Sequence, residues 1–172
     1  MIELVSKNKK NLSTNEINDI CLLKDDYWKY GLKKQKIWFK KNVKSNDLCN
    51  ILIFKKKIIG FTQLRRRSLI FLKKKSKYLL FDTLVIKKQF RKKKFSYLLM
   101  TFNNLIIKKE NKLSFLICDK RLVNFYKKYN WKKINKKNFK LVDHHFSTNA
   151  FTYNLKQKLK MSKKTLFFYT KS

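Results

Sequence analysis

Proline is absent from the 172 residues, glycine occurs twice (Gly31 and Gly60) and alanine once (Ala150). Turns must therefore be built from Asn, Asp and Lys, and strand boundaries lose their usual punctuation. Acids are also scarce: 10 Asp and Glu stand against 45 Lys and Arg, for a net charge of +35. The three cysteines, Cys21, Cys49 and Cys118, contain no C-x-x-C pair. That spacing argues against a disulfide framework or a zinc site and fits a reducing cytosol. No apolar run reaches the length of a membrane span, and Met1 to Lys10 lacks the apolar stretch of a signal peptide. A soluble, cytoplasmic protein is expected.

Hydrophobic residues at 44% and aromatics at 15% exclude the composition of a disordered chain. A mass of 21.1 kDa suits one domain with a substantial core. We expect that domain over residues 1–155, followed by a basic, aromatic tail over 156–172 whose structure the sequence does not indicate. The charge has two readings. The abundant residues (Lys, Asn, Ile, Phe, Tyr) have A/T-rich codons and the depleted ones G/C-rich codons, so compositional drift accounts for much of it. An anionic partner such as nucleic acid is the other reading. Either source makes the protein salt-sensitive.

Ser13-Thr14-Asn15-Glu16 has capping-box spacing and predicts a helix running to about Lys24. A connection with Tyr27 and Trp28 follows, then a short helix from about Lys34 to Asn42. Cys49 to Phe54 and Ile58 to Leu64 read as a hairpin about Lys55-Lys56-Lys57. Arg65-Arg66-Arg67 and the stretch to Lys77 extend or follow its second strand, before a strand candidate at Tyr78 to Ile86. Phe95, Leu98, Leu99, Phe102, Leu105 and Ile106 recur at helical spacing and predict a helix over Phe95 to Lys109. Leu113 to Cys118 has strand length, Arg121 to Lys128 reads as a short helix, and Trp131 to Ile134 and Ala150 to Leu155 are candidate last strands.

Strand, basic turn, amphipathic helix, strand is the order of a β-α-β unit. The turn Arg91-Lys92-Lys93-Lys94 leads straight into Phe95 and Ser96 at a helix start, where free amides and added cations favour an anion such as phosphate. In so lysine-rich a chain, a solvated basic loop is the plainer alternative. Asp82 is the one acid between Tyr78 and Ile86, and strand alternation puts it on a face with Leu84 and Ile86. Asp143-His144-His145 has no third ligand at metal spacing, so no metal is expected.

Arg91-Lys92-Lys93-Lys94-Phe95-Ser96 resembles the pyrophosphate-binding signature of the GNAT superfamily of N-acetyltransferases, Arg/Gln-x-x-Gly-x-Gly/Ala. Asn124-Phe125-Tyr126-Lys127-Lys128-Tyr129-Asn130-Trp131 is similar to the same family's segment after the fifth strand. Lys94 replaces the first glycine, Ser96 the second small residue, and Asn130 a late glycine; asparagine tolerates a left-handed helix end. The resemblance implies an α/β (α+β) fold with a mixed, mostly antiparallel sheet of six to seven strands, about four helices, and the order β1-α1-α2-β2-β3-β4-α3-β5-α4-β6-β7. It implies an N-acetyltransferase with acetyl-coenzyme A as acyl donor and a primary amine, of a small molecule or a protein, as acceptor. The donor would meet the backbone of Leu84, Val85 and Ile86, the turn Arg91, Lys92, Lys93, Lys94, Phe95 and Ser96, and Asn124. Tyr126 would protonate the leaving thiolate, and Asp82 would serve as general base or bind the acceptor ammonium, with His145 as a second candidate base. Trp28, Trp38 and His145 would border the acceptor. From a different class, the alternative is a basic nucleic-acid or ribosome-associated binding protein on a degenerate fold of this type. Its contact surface would be Arg65-Arg66-Arg67, Lys73-Lys74-Lys75 and the tail aromatics Phe167, Phe168 and Tyr169.

Overall fold

Ser13 opens the first helix through the two hydrogen bonds its spacing predicts: Glu16 N donates to Ser13 Oγ (3.1 Å), and Ser13 N donates to the Glu16 carboxylate (2.8 Å). A computed structural model describes residues 1–143, 149–155 and 165–171 of the chain. Among them the elements run β1 (Ile2–Asn8), α1 (Thr14–Tyr27), α2 (Leu32–Asn42), β2 (Leu48–Phe54), β3 (Lys57–Phe71), β4 (Lys74–Ile86), α3 (Phe95–Lys109), β5 (Ser114–Cys118), α4 (Val123–Lys128), β6 (Lys132–Lys133), β7 (Phe139–Leu141), β8 (Asn149–Tyr153) and β9 (Leu166–Phe168). The strands hydrogen-bond in the order β1-β2-β3-β4-β5-β8-β6, with β9 joining β3 and β7. The sheet is mixed and mostly antiparallel, with β4 and β5 pairing in parallel at Leu79–Ser114 and Leu80–Phe115. Nine strands are described where six to seven are expected; the additions include β9, drawn from the tail.

Both hairpin tips are two-residue turns with positive φ throughout, Lys55 and Lys56 (47° and 62°) and Leu72 and Lys73 (51° and 63°). This is the mirror-image turn whose twist suits a hairpin. It lets β3 continue for 15 residues through Arg65-Arg66-Arg67.

The chain divides into two compact units. In the first (Met1–Arg65 and Asp82–Asn103), α1 and α2 cover one face of the strands: Ile20, Cys21, Leu23 and Phe39 pack with Cys49, Ile51, Phe61 and Val85. On the other face, Leu52, Ile59 and Ile86 pack with Leu99, bordered by Leu84, Phe90 and Phe95. Burial of each such large side chain contributes about 1.5–3 kcal/mol. The α3 stripe is rotated from the expected one. Leu99, Met100, Asn103 and Ile107 are buried, whereas Leu105 is 58% exposed. Asn103 occupies the core because its Oδ1 accepts from Asn50 Nδ2 (2.9 Å) and Thr62 Oγ1 (3.1 Å).

The second unit (Arg66–Phe81 and the described residues from Asn104 on) centres on Tyr78, Phe115 and Phe168, the last two stacked with ring centroids 4.1 Å apart. Asp143 accepts from Thr170 N, Thr170 Oγ1 and Lys171 N, which fixes the chain after β9. These amides hold the Asp143 carboxyl below the usual carboxylate range against the opposing effect of burial. No helix among the described residues is long and apolar enough to cross a membrane.

Candidate active site

Strand β4 ends in the first unit at Asp82-Thr83-Leu84-Val85-Ile86. Leu84 and Ile86 pack with Leu99, and Val85 packs on the opposite face with Phe61. Asp82 does not share the face of Leu84 and Ile86, as alternation predicts. Its carboxylate meets Arg65 Nη1 at 2.9 Å beside Trp38, on the side of Val85. Asp82 and Thr83 both line one cavity. The Asp82 side chain is 24% exposed while the residue as a whole is exposed, so its open area is largely main chain.

That cavity has a volume of about 290 Å³ and brings Trp28, Trp38 and Asp82 together. It also contains groups that sequence reasoning missed. Lys24 lies 4% exposed with its Nζ 3.8 Å from the Trp38 ring centroid, and the Arg65 guanidinium carbon is 5.6 Å from that ring. Burial pushes the Lys24 ammonium below the ordinary lysine range, and the Asp82 carboxylate pulls it part of the way back. Gln35, buried on α2, donates to the Trp28 carbonyl (2.9 Å) and so fixes the connection that carries Trp28. In the sequence Lys24 reads as an ordinary helix residue and Arg65 as part of a solvated run; neither carries a local signal of its distant partner.

The turn after β4 folds by sorting its residues. Phe90 and Phe95 pack edge-on or tilted against Phe54 (5.7 and 5.9 Å between centroids), and the cations between them stay exposed. Lys94 adopts φ +59°, the left-handed conformation glycine favours, and its carbonyl receives the first α3 bond from Leu98 N (3.2 Å). The first-turn amides of Phe95 and Ser96 have no acceptor within the helix, and none among the described residues. Arg91 turns back toward the strand: its Nε donates to the Ile86 carbonyl (2.9 Å) and its guanidinium carbon lies 5.2 Å from the Tyr27 ring centroid. One of the expected donor-binding carbonyls, that of Ile86, is thus bonded to Arg91. Lys92 also takes a positive φ (64°), and Lys93 Nζ lies 6.0 Å from the Phe90 ring centroid.

In the second unit, Tyr126 is buried on α4 with its ring centroid 6.0 Å from Phe81 and 6.2 Å from both Trp131 and Phe151. Asn124 is exposed on the same helix. Asn130 takes φ +63°, the left-handed helix end for which asparagine is suited. Asn104 holds this corner, accepting from Trp131 Nε1 and donating to the Tyr129 carbonyl, both at 3.0 Å. His145 lies outside the described residues. Asp143 accepts from Thr170 N and Lys171 N.

The contact surface of the nucleic-acid alternative is corrected by burial. Arg65 and Arg67 are 7% and 0% exposed; Arg67 Nε donates to the Thr170 carbonyl, and Arg66 pairs with Glu110 at 2.7 Å. Phe168 is fully buried. A run of arginines reads as solvated, but on a strand its alternate members point inward. The cysteines are free and buried; burial pushes Cys49 up to about 12 and Cys118 up to about 11.

No family model matches the sequence, and no curated protein matches it either. Solved structures match its fold. An acyl-CoA N-acyltransferase from Pseudomonas aeruginosa aligns over 88% of this chain and 99% of its own at 9% identity, with a TM-score of 0.66. The PaiA N-acetyltransferase from Thermoplasma acidophilum, in complex with coenzyme A, aligns over 88% and 98% at 18% identity and a TM-score of 0.52. An aminoglycoside 6'-N-acetyltransferase complexed with coenzyme A aligns over 86% and 94% at 9% identity and a TM-score of 0.61. With parallel β4 and β5, α3 between them and a mostly antiparallel sheet around them, the chain has the fold of the GNAT N-acyltransferases that its two short motifs resemble.

Proposed function

We propose that this protein is an acyl-coenzyme A dependent N-acyltransferase that moves an acetyl group to a primary amine. The observation that carries the reading is the left-handed Lys94 opening α3 after β4, with the Phe95 and Ser96 amides unclaimed, within a fold whose neighbours include coenzyme A complexes. Those amides, the helix dipole and the ammonium groups of Lys92, Lys93 and Lys94 suit a pyrophosphate. Arg91 holds the end of β4 through Ile86 and adds to the positive field. Leu84 and Val85 would offer backbone groups to the pantetheine arm, and Asn124 a side-chain contact.

When bound, acetyl-coenzyme A supplies an activated thioester carbonyl. The acceptor lies in the Trp28, Trp38 and Asp82 cavity, and its nitrogen attacks that carbonyl carbon. By the motif's resemblance Tyr126 would give its hydroxyl proton to the thiolate as the carbon–sulfur bond breaks, and the proton lost by nitrogen would pass to Asp82 or to water. Fixing both reactants accounts for most of the acceleration, and a placed phenol adds about 10²–10⁴-fold. His145 is the second candidate base.

Two measurements test the reading. Saturating coenzyme A should raise the melting temperature, since a ligand of the native state stabilises it by mass action. Thiol release from acetyl-coenzyme A should then depend on an added amine. A protein that neither shifts nor releases thiol is not this enzyme, and the binding-protein alternative replaces it.

A further inference from the structure

The cavity of the first unit holds an unmatched positive charge. Asp82 is its single carboxylate, and Arg65 already faces that group at 2.9 Å. Lys24 and Lys34 remain. Lys34 is exposed on α2, where water satisfies it. Lys24 differs: it is 4% exposed, and its Nζ makes no hydrogen bond or ion pair with any described residue, only the face-on approach to Trp38 at 3.8 Å. Its Nζ keeps a small solvent contact and Lys24 lines the cavity, so an anionic acceptor there would replace water against a largely desolvated ammonium. The remaining walls include Trp28, Tyr30 and Trp38, which give aromatic surface and no acid. A volume of about 290 Å³ stands at the small end of ligand cavities.

A monoanion on an apolar body satisfies these constraints together. It supplies the acceptor that Lys24 lacks and places its body against the tryptophans, while Asp82, paired with Arg65, still lines the cavity. A phosphate dianion would need further buried donors, normally arginine, and no arginine is among the described residues that line the cavity. We infer that the acyl acceptor is an amine that also carries a carboxylate, an amino acid in chemical class, with the carboxylate seated on Lys24 Nζ and the ammonium facing Asp82. This deepens the acyltransferase reading and rests on it.

The test uses three related amines with acetyl-coenzyme A: L-phenylalanine, L-phenylalaninamide and phenethylamine. It adds 3-phenylpropanoate, which has the carboxylate and no amine. For the parent protein, kcat/KM for phenylalanine should exceed that for either analogue without the carboxylate by at least about tenfold, the scale of a charge-assisted hydrogen bond. In Lys24→Met that ratio should fall to within about threefold of unity, carried by KM, as expected when uniform binding is lost. The coenzyme A melting shift of the variant reports that it is folded. 3-Phenylpropanoate should raise the melting temperature of the parent and not of the variant. Equal use of the three amines by the parent, or a preference that survives Lys24→Met, overturns the inference and leaves acyl transfer standing. Protection by 3-phenylpropanoate that Lys24→Met abolishes, with no thiol release from any amine, overturns the enzymatic reading and with it the acceptor assignment.

Discussion

Asp82 is the counter-charge of a buried cationic corner, so removing its charge tests both the fold and the proposed chemistry. Arg65 is 8% exposed at its side chain and lies 2.9 Å from the Asp82 carboxylate. Breaking a fully buried pair by deleting one partner costs about 3–5 kcal/mol. Here Asp82 is 24% exposed and Arg65 has interactions beyond this pair, which reduces the expected loss. We expect Asp82→Asn to cost about 2 kcal/mol and Arg65→Met about 1–2 kcal/mol in urea unfolding at pH 7. The double variant should recover about 1.5 kcal/mol of the summed losses, because neither charge is then left without the other. Single losses that add within about 0.5 kcal/mol would refute the pairing as a stabilising interaction. The same variant separates the two roles of Asp82. A binder of the acceptor ammonium raises KM when neutralised, whereas a proton acceptor lowers kcat.

Tyr126→Phe should lower single-turnover acetyl transfer by at least about tenfold while keeping the coenzyme A melting shift; unchanged turnover removes the phenol from the mechanism. Lys94→Gly should change stability by less than about 1 kcal/mol, because relief of a left-handed side chain is offset by added chain freedom. Its coenzyme A affinity should move by less than about tenfold, and a larger gain would show that the lysine side chain obstructs the donor. Glu16 is nudged up by burial but lowered overall from its ordinary 4.5 by Lys7 and the Ser13 amide. Its contribution is therefore present above pH 4.5 and lost as pH falls through the lower folded value. Glu16→Gln should cost about 1 kcal/mol at pH 7, with parent and variant converging in acid denaturation below that point.

Where a local rule decided the structure, the sequence disclosed it. The capping box at Ser13 and Glu16 opens α1, the 3.6-residue period covers α3 from Phe95 to Lys109, and the hairpin turns at Lys55-Lys56. Where a distant partner decided, local pattern misled. Arg65 and Arg67 lie on a strand because Asp82 and the Thr170 carbonyl meet them inside. Asn103 is buried because Asn50 and Thr62 donate to it, and the α3 stripe turns accordingly, leaving Leu105 outside. Asp82 meets Arg65 beside Trp38 rather than joining the layer of Leu84 and Ile86. Of the residues that line the cavity, Trp28, Trp38 and Asp82 were singled out through the resemblance, while Lys24, one of 45 Lys and Arg residues, carried no signal.

The two glycines show where this chain needs a residue without a side chain. Nine other described residues have positive φ, all between 47° and 64°: five lysines, one leucine and three asparagines. In that left-handed well a side chain costs roughly 1–2 kcal/mol, so lysine or asparagine is a tolerable substitute. Gly31 lies at φ 87° and ψ 140°, outside that well, and a Cβ placed there would meet nothing within 4 Å; its backbone angles, not space, demand glycine. Gly60 has the opposite need: a Cβ would stand 2.7 Å from Ile86 Cδ1 and 3.2 Å from Leu52 Cβ, in the layer beneath the start of α3. Glycine is thus kept where the angles or the packing admit no side chain, and given up where the left-handed well suffices. Lys94 belongs to the second group. Its departure from the motif changes the side chain at the mouth of the helix but not the backbone path that frees the Phe95 and Ser96 amides, and anion binding at a helix start depends on that path.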